Sequence, residues 1–80
     1  MLDALKSKNK TVGIKQSLKA VEADSAKLLF IARDADEKVV SNLRKLAESK
    51  SVEIIYVDSM KTLGKACGIE VGASAACLLK

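Results

Sequence analysis

Leu28-Leu29-Phe30-Ile31-Ala32 is an unbroken apolar run near the middle of a chain of 80 residues. Successive side chains of a strand point to opposite sides of a sheet, so such a run is typical of a strand that is covered on both faces. Two later segments have the same character, and a brief strand is predicted near the start. These three further strands are predicted at Glu53-Ile54-Ile55-Tyr56-Val57, Ala75-Ala76-Cys77-Leu78-Leu79 and Thr11-Val12.

Apolar residues recur at helical spacing in the segments between these strands. A short first helix is predicted over residues 2–8, with Leu2 and Leu5 inward, and a second over residues 14–23. The buried stripe of the second helix is predicted to be Ile14, Leu18 and Val21. Its other side then presents Lys15, Gln16, Lys19 and Glu22 to solvent.

Two more helices are predicted from their capping residues. Asp34 predicts the start of a helix that runs to about Ser49, because Glu37 three residues later completes a capping box. The buried stripe of this helix is predicted to be Val39, Val40, Leu43, Leu46 and Ala47. Ser59 predicts the start of a short last helix, and Gly68 suits the left-handed position after its end. The inward residues of this last helix are predicted to be Met60, Leu63 and Cys67.

Alternating strands and helices predict an α/β domain with helices on both faces of one small sheet. A chain of 80 residues leaves no room for a second core, so we expect one domain over residues 1–80. The composition, 49% hydrophobic and 30% charged, is that of a folded domain and not of a disordered tail. We expect a monomer.

Several classes of function are disfavoured by what the chain lacks. No apolar run approaches the ~20 residues that span a bilayer, and residues 1–10 do not resemble a signal peptide, so we expect a cytoplasmic protein. Cys67 and Cys77 are too few for a structural zinc site, and the chain has no histidine. We expect two reduced, buried thiols and no cofactor or metal. Asp34 and Asp36 could form a carboxylate pair, but capping of a helix is the favoured interpretation, and catalysis is not expected.

The excess positive charge lies in the first quarter of the chain. Residues 1–20 hold five lysines and one aspartate, whereas basic and acidic residues balance in the other sixty. Gly13 opens the helix that carries Lys15 and Lys19, and free N–H groups at a helix start favour an anion such as phosphate. The two aromatic residues, Phe30 and Tyr56, lie in apolar strands where we expect core packing. Stacking of bases on exposed rings is therefore not expected. If the chain binds RNA, it must read structured RNA through a helix end and a loop, whereas the alternative is that the charged face is only solvated.

Three segments carry a further indication when they are taken together. They are Gly13-Ile14-Lys15-Gln16-Ser17-Leu18-Lys19-Ala20, Leu29-Phe30-Ile31-Ala32-Arg33-Asp34-Ala35-Asp36 and Leu63-Gly64-Lys65-Ala66-Cys67-Gly68-Ile69-Glu70-Val71-Gly72-Ala73-Ser74-Ala75-Ala76. In this order and at this spacing they resemble the L7Ae/L30e ribosomal-protein family, most closely its short bacterial L7Ae-like members. The resemblance spans most of the chain.

The resemblance implies a three-layer α/β/α sandwich with a small mixed sheet of about four strands. It also implies binding of the kink-turn, a bent RNA element with a bulge beside tandem sheared G·A pairs, with the ribosome as one candidate assembly. The RNA-binding residues that it implies are Gly13, Lys15, Gln16, Lys19, Asp36, Glu70, Val71, Gly72 and Ala73.

The same resemblance implies a role for each group of residues. Gly13 allows close approach of the backbone, Lys15 and Gln16 meet guanine edges, and Lys19 meets phosphate or base. Asp36 lies near an extruded nucleotide, and residues 70–73 cover the bulged nucleotides.

The chain departs from many archaeal and eukaryotic relatives, which have Asn-Glu where it has Lys15-Gln16. A neutral amide accepts hydrogen bonds less strongly than a carboxylate, while Lys15 adds a cation.

The alternative function is a protein-interaction or structural subunit that has kept the fold without specific RNA recognition.

Overall fold

The computed structural model describes residues 5–6 and 9–80 of the chain. Within these residues the strands are β1 (Lys10–Val12), β2 (Ala26–Ala32), β3 (Glu53–Val57) and β4 (Ala75–Leu79). The helices are α1 (Ile14–Glu22), α2 (Glu37–Ser49) and α3 (Met60–Ala66). The predicted helix over residues 2–8, with Leu2 inward, falls mostly outside the described residues, although Leu5 within it is fully buried.

The strands form one mixed sheet in the order β1-β4-β2-β3. β2 and β3 are parallel, whereas β4 is antiparallel to both β1 and β2. The last strand of the chain is thus inserted between the first and the second. This order brings the end of β1, the start of β4 and the end of β2 to the same end of the sheet.

Helices cover both faces of the sheet. In β2, Leu29 and Ile31 belong to the core beneath α1 and α2, whereas Phe30 belongs to the core beneath α3. This alternation follows from the period of two in a strand, and it explains why β2 is apolar at successive positions. The three-layer α/β/α prediction, with a mixed sheet of four strands, is therefore confirmed.

Two predictions about α2 are wrong. Its N-cap is Asp36 and not Asp34, since the backbone N–H of Lys38 donates to Asp36 Oδ1 at 2.9 Å. Asp34 instead accepts a hydrogen bond from the first residue of α3. Val39, predicted in the buried stripe, is 45% exposed, because it lies beside the face of the helix that Val40 buries.

The prediction that Tyr56 is packed in the core is also wrong. Phe30 is fully buried, but Tyr56 is 44% exposed. β3 is an edge strand, and its apolar sequence does not distinguish it from a central one. The predicted N-cap Ser59 is confirmed by its hydrogen bond from the N–H of Thr62. Gly68 has the predicted positive φ of 81°.

None of the helices in the described part of the chain is long and apolar enough to cross a membrane.

Candidate nucleic-acid interface

The turn from β1 into α1 is held against the start of β4. Val12 pairs with Ala76 in the sheet, and the N–H of the next residue, Gly13, donates to the carbonyl of Ala75 at 2.8 Å. Gly13 has φ 98° and ψ 162°, a conformation that side chains disfavour, although no atom of the described residues lies within 4 Å of where its Cβ would be. Glycine is therefore required here by the backbone angle and leaves open space at the helix start.

The exposed face of α1 matches the prediction from its spacing. Lys15, Gln16 and Lys19 are exposed, whereas Ala20 and Val21 are buried. Among the described residues no side chain caps the start of the helix, and the first turn of the helix contains no acidic residue. The first N–H groups of a helix have no partner within it, so the positive end of α1 faces the same region as the amide and the two cations.

Ser17 is a buried residue of α1 that the sequence reasoning missed. It is fully buried, its hydroxyl lies 3.5 Å from Thr11 Oγ1, and its carbonyl lies 3.8 Å from the Cys77 thiol that donates to it. Burial raises the pKa of the Cys77 thiol. The available signal was position, since Ser17 falls three residues after Ile14 and four before Val21 on the buried stripe. Ser17 therefore contacts both β1 and β4 from the buried face of α1.

The loop of residues 70–73 connects α3 to β4 and packs closely on α3. A Cβ on Gly64 would lie 2.1 Å from the carbonyl oxygen of Val71, so only glycine allows this approach. The N–H of Ala73 donates to the carbonyl of Met60 at 3.0 Å. Glu70 and Gly72 are exposed.

Two members of the loop differ sharply in accessibility. The side chain of Val71 is 70% exposed, whereas Ala73 is only 4% exposed and belongs to the core beneath α3. Val71 can therefore offer an apolar surface to a ligand. Ala73 can act on a ligand only by fixing the position of the loop.

Backbone hydrogen bonds hold the start of α1 and the end of β2 beside the two residues that directly follow this loop. Ala75 accepts from Gly13, as described, and the carbonyl of Ser74 accepts from the N–H of Ala32 at 2.9 Å. The start of α1 and the loop of residues 70–73 therefore lie at the end of the sheet where β2 ends. Asp36 follows that end of β2 and is exposed, but its hydrogen bond goes to Lys38 in α2 and not to either segment.

A small cleft of about 190 Å³ lies between α2 and the ends of β2 and β3. The guanidinium of Arg33 lies 5.5 Å from the centre of the Tyr56 ring. Arg44 donates to both carboxylate oxygens of Glu37, which raises the pKa of Arg44 and lowers that of Glu37. Sequence reasoning missed this cleft, because the exposure of Tyr56 depends on the place of β3 in the sheet.

Comparison with known proteins identifies relatives over most of the chain. Residues 1–80 match the model of the ribosomal protein L7Ae/L30e/S12e/Gadd45 family. A protein of Bacillus pumilus named "RNA-binding protein" is 52% identical over 68 residues, which are 85% of this chain and 83% of the relative. A protein of Halalkalibacterium halodurans, also named as RNA-binding, is 51% identical over 69 residues, which are 86% of this chain and 84% of the relative.

Solved structures agree with the sequence comparison. The structure described as "Giardia lamblia 15.5kD RNA binding protein" superimposes with a TM-score of 0.91 at 31% identity. The superposition covers 99% of this chain and 70% of the other. From the match of the family model and the identity to these relatives, the chain belongs to the ribosomal protein L7Ae/L30e/S12e/Gadd45 family.

Proposed function

We propose that this protein binds RNA and recognises the kink-turn, stabilising its bent form without catalysing a reaction. The observation that carries the proposal is a pair of hydrogen bonds at one end of the sheet. Gly13, at the start of α1, bonds to Ala75, and Ala32 bonds to Ser74, the residue that directly follows the loop of residues 70–73. Family membership and relatives named as RNA-binding proteins support an RNA ligand. The proposal includes a monomeric, cytoplasmic protein and ribosomal RNA as one candidate host of the motif.

In this proposal the start of α1 enters the widened major groove of the bent RNA. An ordinary A-form major groove is too narrow and deep for side chains to read, so only a distorted element can admit a helix. Gly13 permits close approach because, in the part of the chain that the structure describes, nothing lies within 4 Å of the place where its Cβ would be. Gln16 supplies a donor and an acceptor for guanine edges, and the exposed Lys15 and Lys19 supply positive charge.

The loop of residues 70–73 contacts the bulged nucleotides. Val71 provides the exposed apolar surface, next to the exposed Glu70 and Gly72, while Ala73 holds the loop on α3. Asp36 is proposed to face the extruded nucleotide from the end of the sheet where β2 ends. A protein that contacts both segments only in the bent RNA shifts the population of the RNA toward that form.

Calorimetry with two RNA duplexes tests this function. One duplex contains a kink-turn, and the other is the same duplex with its G·A pairs converted to Watson–Crick pairs. We expect at least a hundredfold weaker binding to the second duplex, which corresponds to about 2.7 kcal/mol. Equal binding to both would refute recognition of the kink-turn and would favour a subunit that binds other proteins.

Lysine variants separate a specific interface from general attraction to RNA. Lys19→Ala should weaken binding and reduce the slope of log K against log salt by roughly 0.7–0.9, because one phosphate contact is lost. Lys27→Ala is the matched control, since this exposed lysine lies near the opposite end of β2, about 16 Å from Ala32. Gln16→Ala should instead reduce the preference for G·A pairs more than it reduces binding to the Watson–Crick duplex. Equal losses from Lys19→Ala and Lys27→Ala would contradict the proposed interface.

A further inference from the structure

We propose that Asp34 is a positioning residue that holds the loop of residues 70–73 in place through the backbone of Met60. This inference rests on the function proposed above for that loop. Asp34 Oδ1 accepts a hydrogen bond from the N–H of Met60 at 2.7 Å. The carbonyl of the same Met60 accepts a hydrogen bond from the N–H of Ala73 at 3.0 Å. Met60 therefore joins the segment after β2 to the segment before β4.

The first of these bonds fixes the start of α3. Met60 is the first residue of this helix, and the first N–H groups of a helix have no partner within it. Ser59 accepts from the N–H of Thr62, and Asp34 supplies an acceptor for Met60 from 26 residues away in the chain. A bond to a carboxylate is roughly twice as strong as one between neutral groups. The start of α3 is thus tied to the connection between β2 and α2.

The packing of α3 transmits its position to the loop. A Cβ on Gly64 would stand 2.1 Å from the oxygen of Val71, and a Cβ on Gly72 would stand 3.0 Å from Cβ of Met60. Backbone segments in such close contact move together, because no flexible side chain lies between them to absorb a shift. The exposed side chain of Val71 stands on this backbone.

The same end of the loop is held a second time, two residues before Asp34. Ala32 donates to the carbonyl of Ser74, which follows the loop directly. One short segment, residues 32–34, therefore holds the C-terminal end of the loop twice, at Ser74 directly and at Ala73 through Met60. Asp34 in this way sets where Val71 lies relative to the start of α1.

An electrostatic role and a positioning role for Asp34 predict opposite changes in RNA affinity when its carboxylate is removed. The carboxylate is exposed and negatively charged, so its loss should strengthen the attraction of an anionic RNA if charge alone matters. If Asp34 positions the loop, its loss should weaken binding to the kink-turn. The sign of the change therefore decides between the two effects.

The binding experiment compares Asp34→Ala, Asp34→Asn and Asp58→Ala on the kink-turn duplex. Asp34→Ala should bind at least tenfold more weakly with an unchanged salt slope, because no phosphate contact is lost. Asp34→Asn keeps an acceptor oxygen and should stay within about threefold of the wild type. Asp58→Ala is the matched control. Asp58 lies directly before the N-cap of α3 and is exposed, and its carboxylate has no hydrogen-bond partner among the described residues. This variant should bind no more weakly than the wild type.

A double-mutant cycle tests whether Asp34 acts through the loop. Val71→Ala should weaken binding in the wild-type background and should weaken it much less in the Asp34→Ala background, because the loop is already displaced there. Additive losses would overturn the proposal. So would an Asp34→Ala variant that binds the kink-turn as tightly as the wild type or more tightly.

Amide hydrogen exchange measures the positioning without RNA. The N–H of Ala73 should exchange faster in Asp34→Ala than in the wild type, whereas the N–H of Leu29 in the central strand should not change. This readout separates displacement of the loop from general unfolding, which would accelerate both. If the wild type shows no preference for the kink-turn, the proposed function fails and exchange alone decides the positioning. Unchanged protection of Ala73 would then overturn it, and faster exchange would support it.

Discussion

Replacement of Gly64 with alanine sets two opposing effects against each other. Alanine is favoured over glycine inside a helix by about 1 kcal/mol, so helix propensity alone predicts a more stable protein. The added Cβ, however, would lie 2.1 Å from the oxygen and 3.1 Å from the carbon of the Val71 carbonyl. Both atoms belong to the backbone and cannot turn away as the end of a side chain could.

The size of the overlap between the added Cβ and the Val71 carbonyl decides whether the free energy of unfolding rises or falls. A carbon and a carbonyl oxygen approach to about 3.3 Å in close contacts, so the loop must retreat by about 1.2 Å. Excess volume in a packed region costs about 1–3 kcal/mol. Lengthening of the hydrogen bond from the N–H of Ala73 to the carbonyl of Met60 costs about 1 kcal/mol more. After the gain in propensity is subtracted, Gly64→Ala should lower the free energy of unfolding by about 1–3 kcal/mol. In a domain of this size, each 1 kcal/mol lowers Tm by about 4–8 °C.

Urea unfolding and RNA binding together test this estimate. Ile54→Val is the matched control, because it should cost about 0.5–1.5 kcal/mol in the core beneath α1 and α2, on the other side of the sheet from α3. Gly64→Ala should also lose much of its preference for the kink-turn, whereas Ile54→Val should keep it. A Gly64→Ala variant as stable as the wild type would refute the close packing of the loop on α3.

Two further predictions concern the cleft beside β3. Glu37→Gln should lower Tm at neutral pH and have no effect in acid, because Arg44 holds the pKa of Glu37 below its ordinary value of 4.5. A carboxyl group with a lowered folded-state pKa contributes stability above its unfolded pKa and loses it as pH falls through the folded value; a difference in Tm that persists in acid would contradict the ion pair. Phe30→Ala should cost about 3–5 kcal/mol in urea unfolding, whereas the half-exposed Tyr56→Ala should cost about 1 kcal/mol or less. Similar losses from both substitutions would show that Tyr56 is packed as a core residue.

Local patterns in the sequence were sufficient to predict the elements of this fold. The apolar runs at residues 53–57 and 75–79 predicted the bounds of β3 and β4. The stripe of Ile14, Leu18 and Val21 predicted which face of α1 is covered, because its spacing of three and four residues is imposed by the geometry of the helix. These features depend on neighbours in the chain, so they can be recognised without knowledge of the tertiary structure.

Contacts between distant segments could not be predicted in the same way. Asp34 and Asp36 both suited the start of α2, and only the approach of α3 gives Asp34 a different partner, Met60. Ala73 was assigned to the interface with Val71, but the packing of the loop on α3 buries one and exposes the other. The type of residue does not distinguish a cap of α2 from a partner of Met60, or an exposed loop residue from a buried one. The tertiary surroundings of the residue decide which of these it becomes.

The sequence by itself determined the alternation of strands and helices, the covered face of α1 and the placement of Lys15, Gln16 and Lys19 on its exposed face. These follow from steric and hydrophobic preferences that act within a few residues. Only the tertiary structure decided that β4 lies between β1 and β2, and that β3, with Tyr56, lies at the edge. The same strand order brings the loop of residues 70–73 to the start of α1, because Gly13 and Ala75 become neighbours only after β4 has paired with β1. Strand order depends on which long-range pairing buries both faces of the sheet, and no local pattern in the chain encodes that choice.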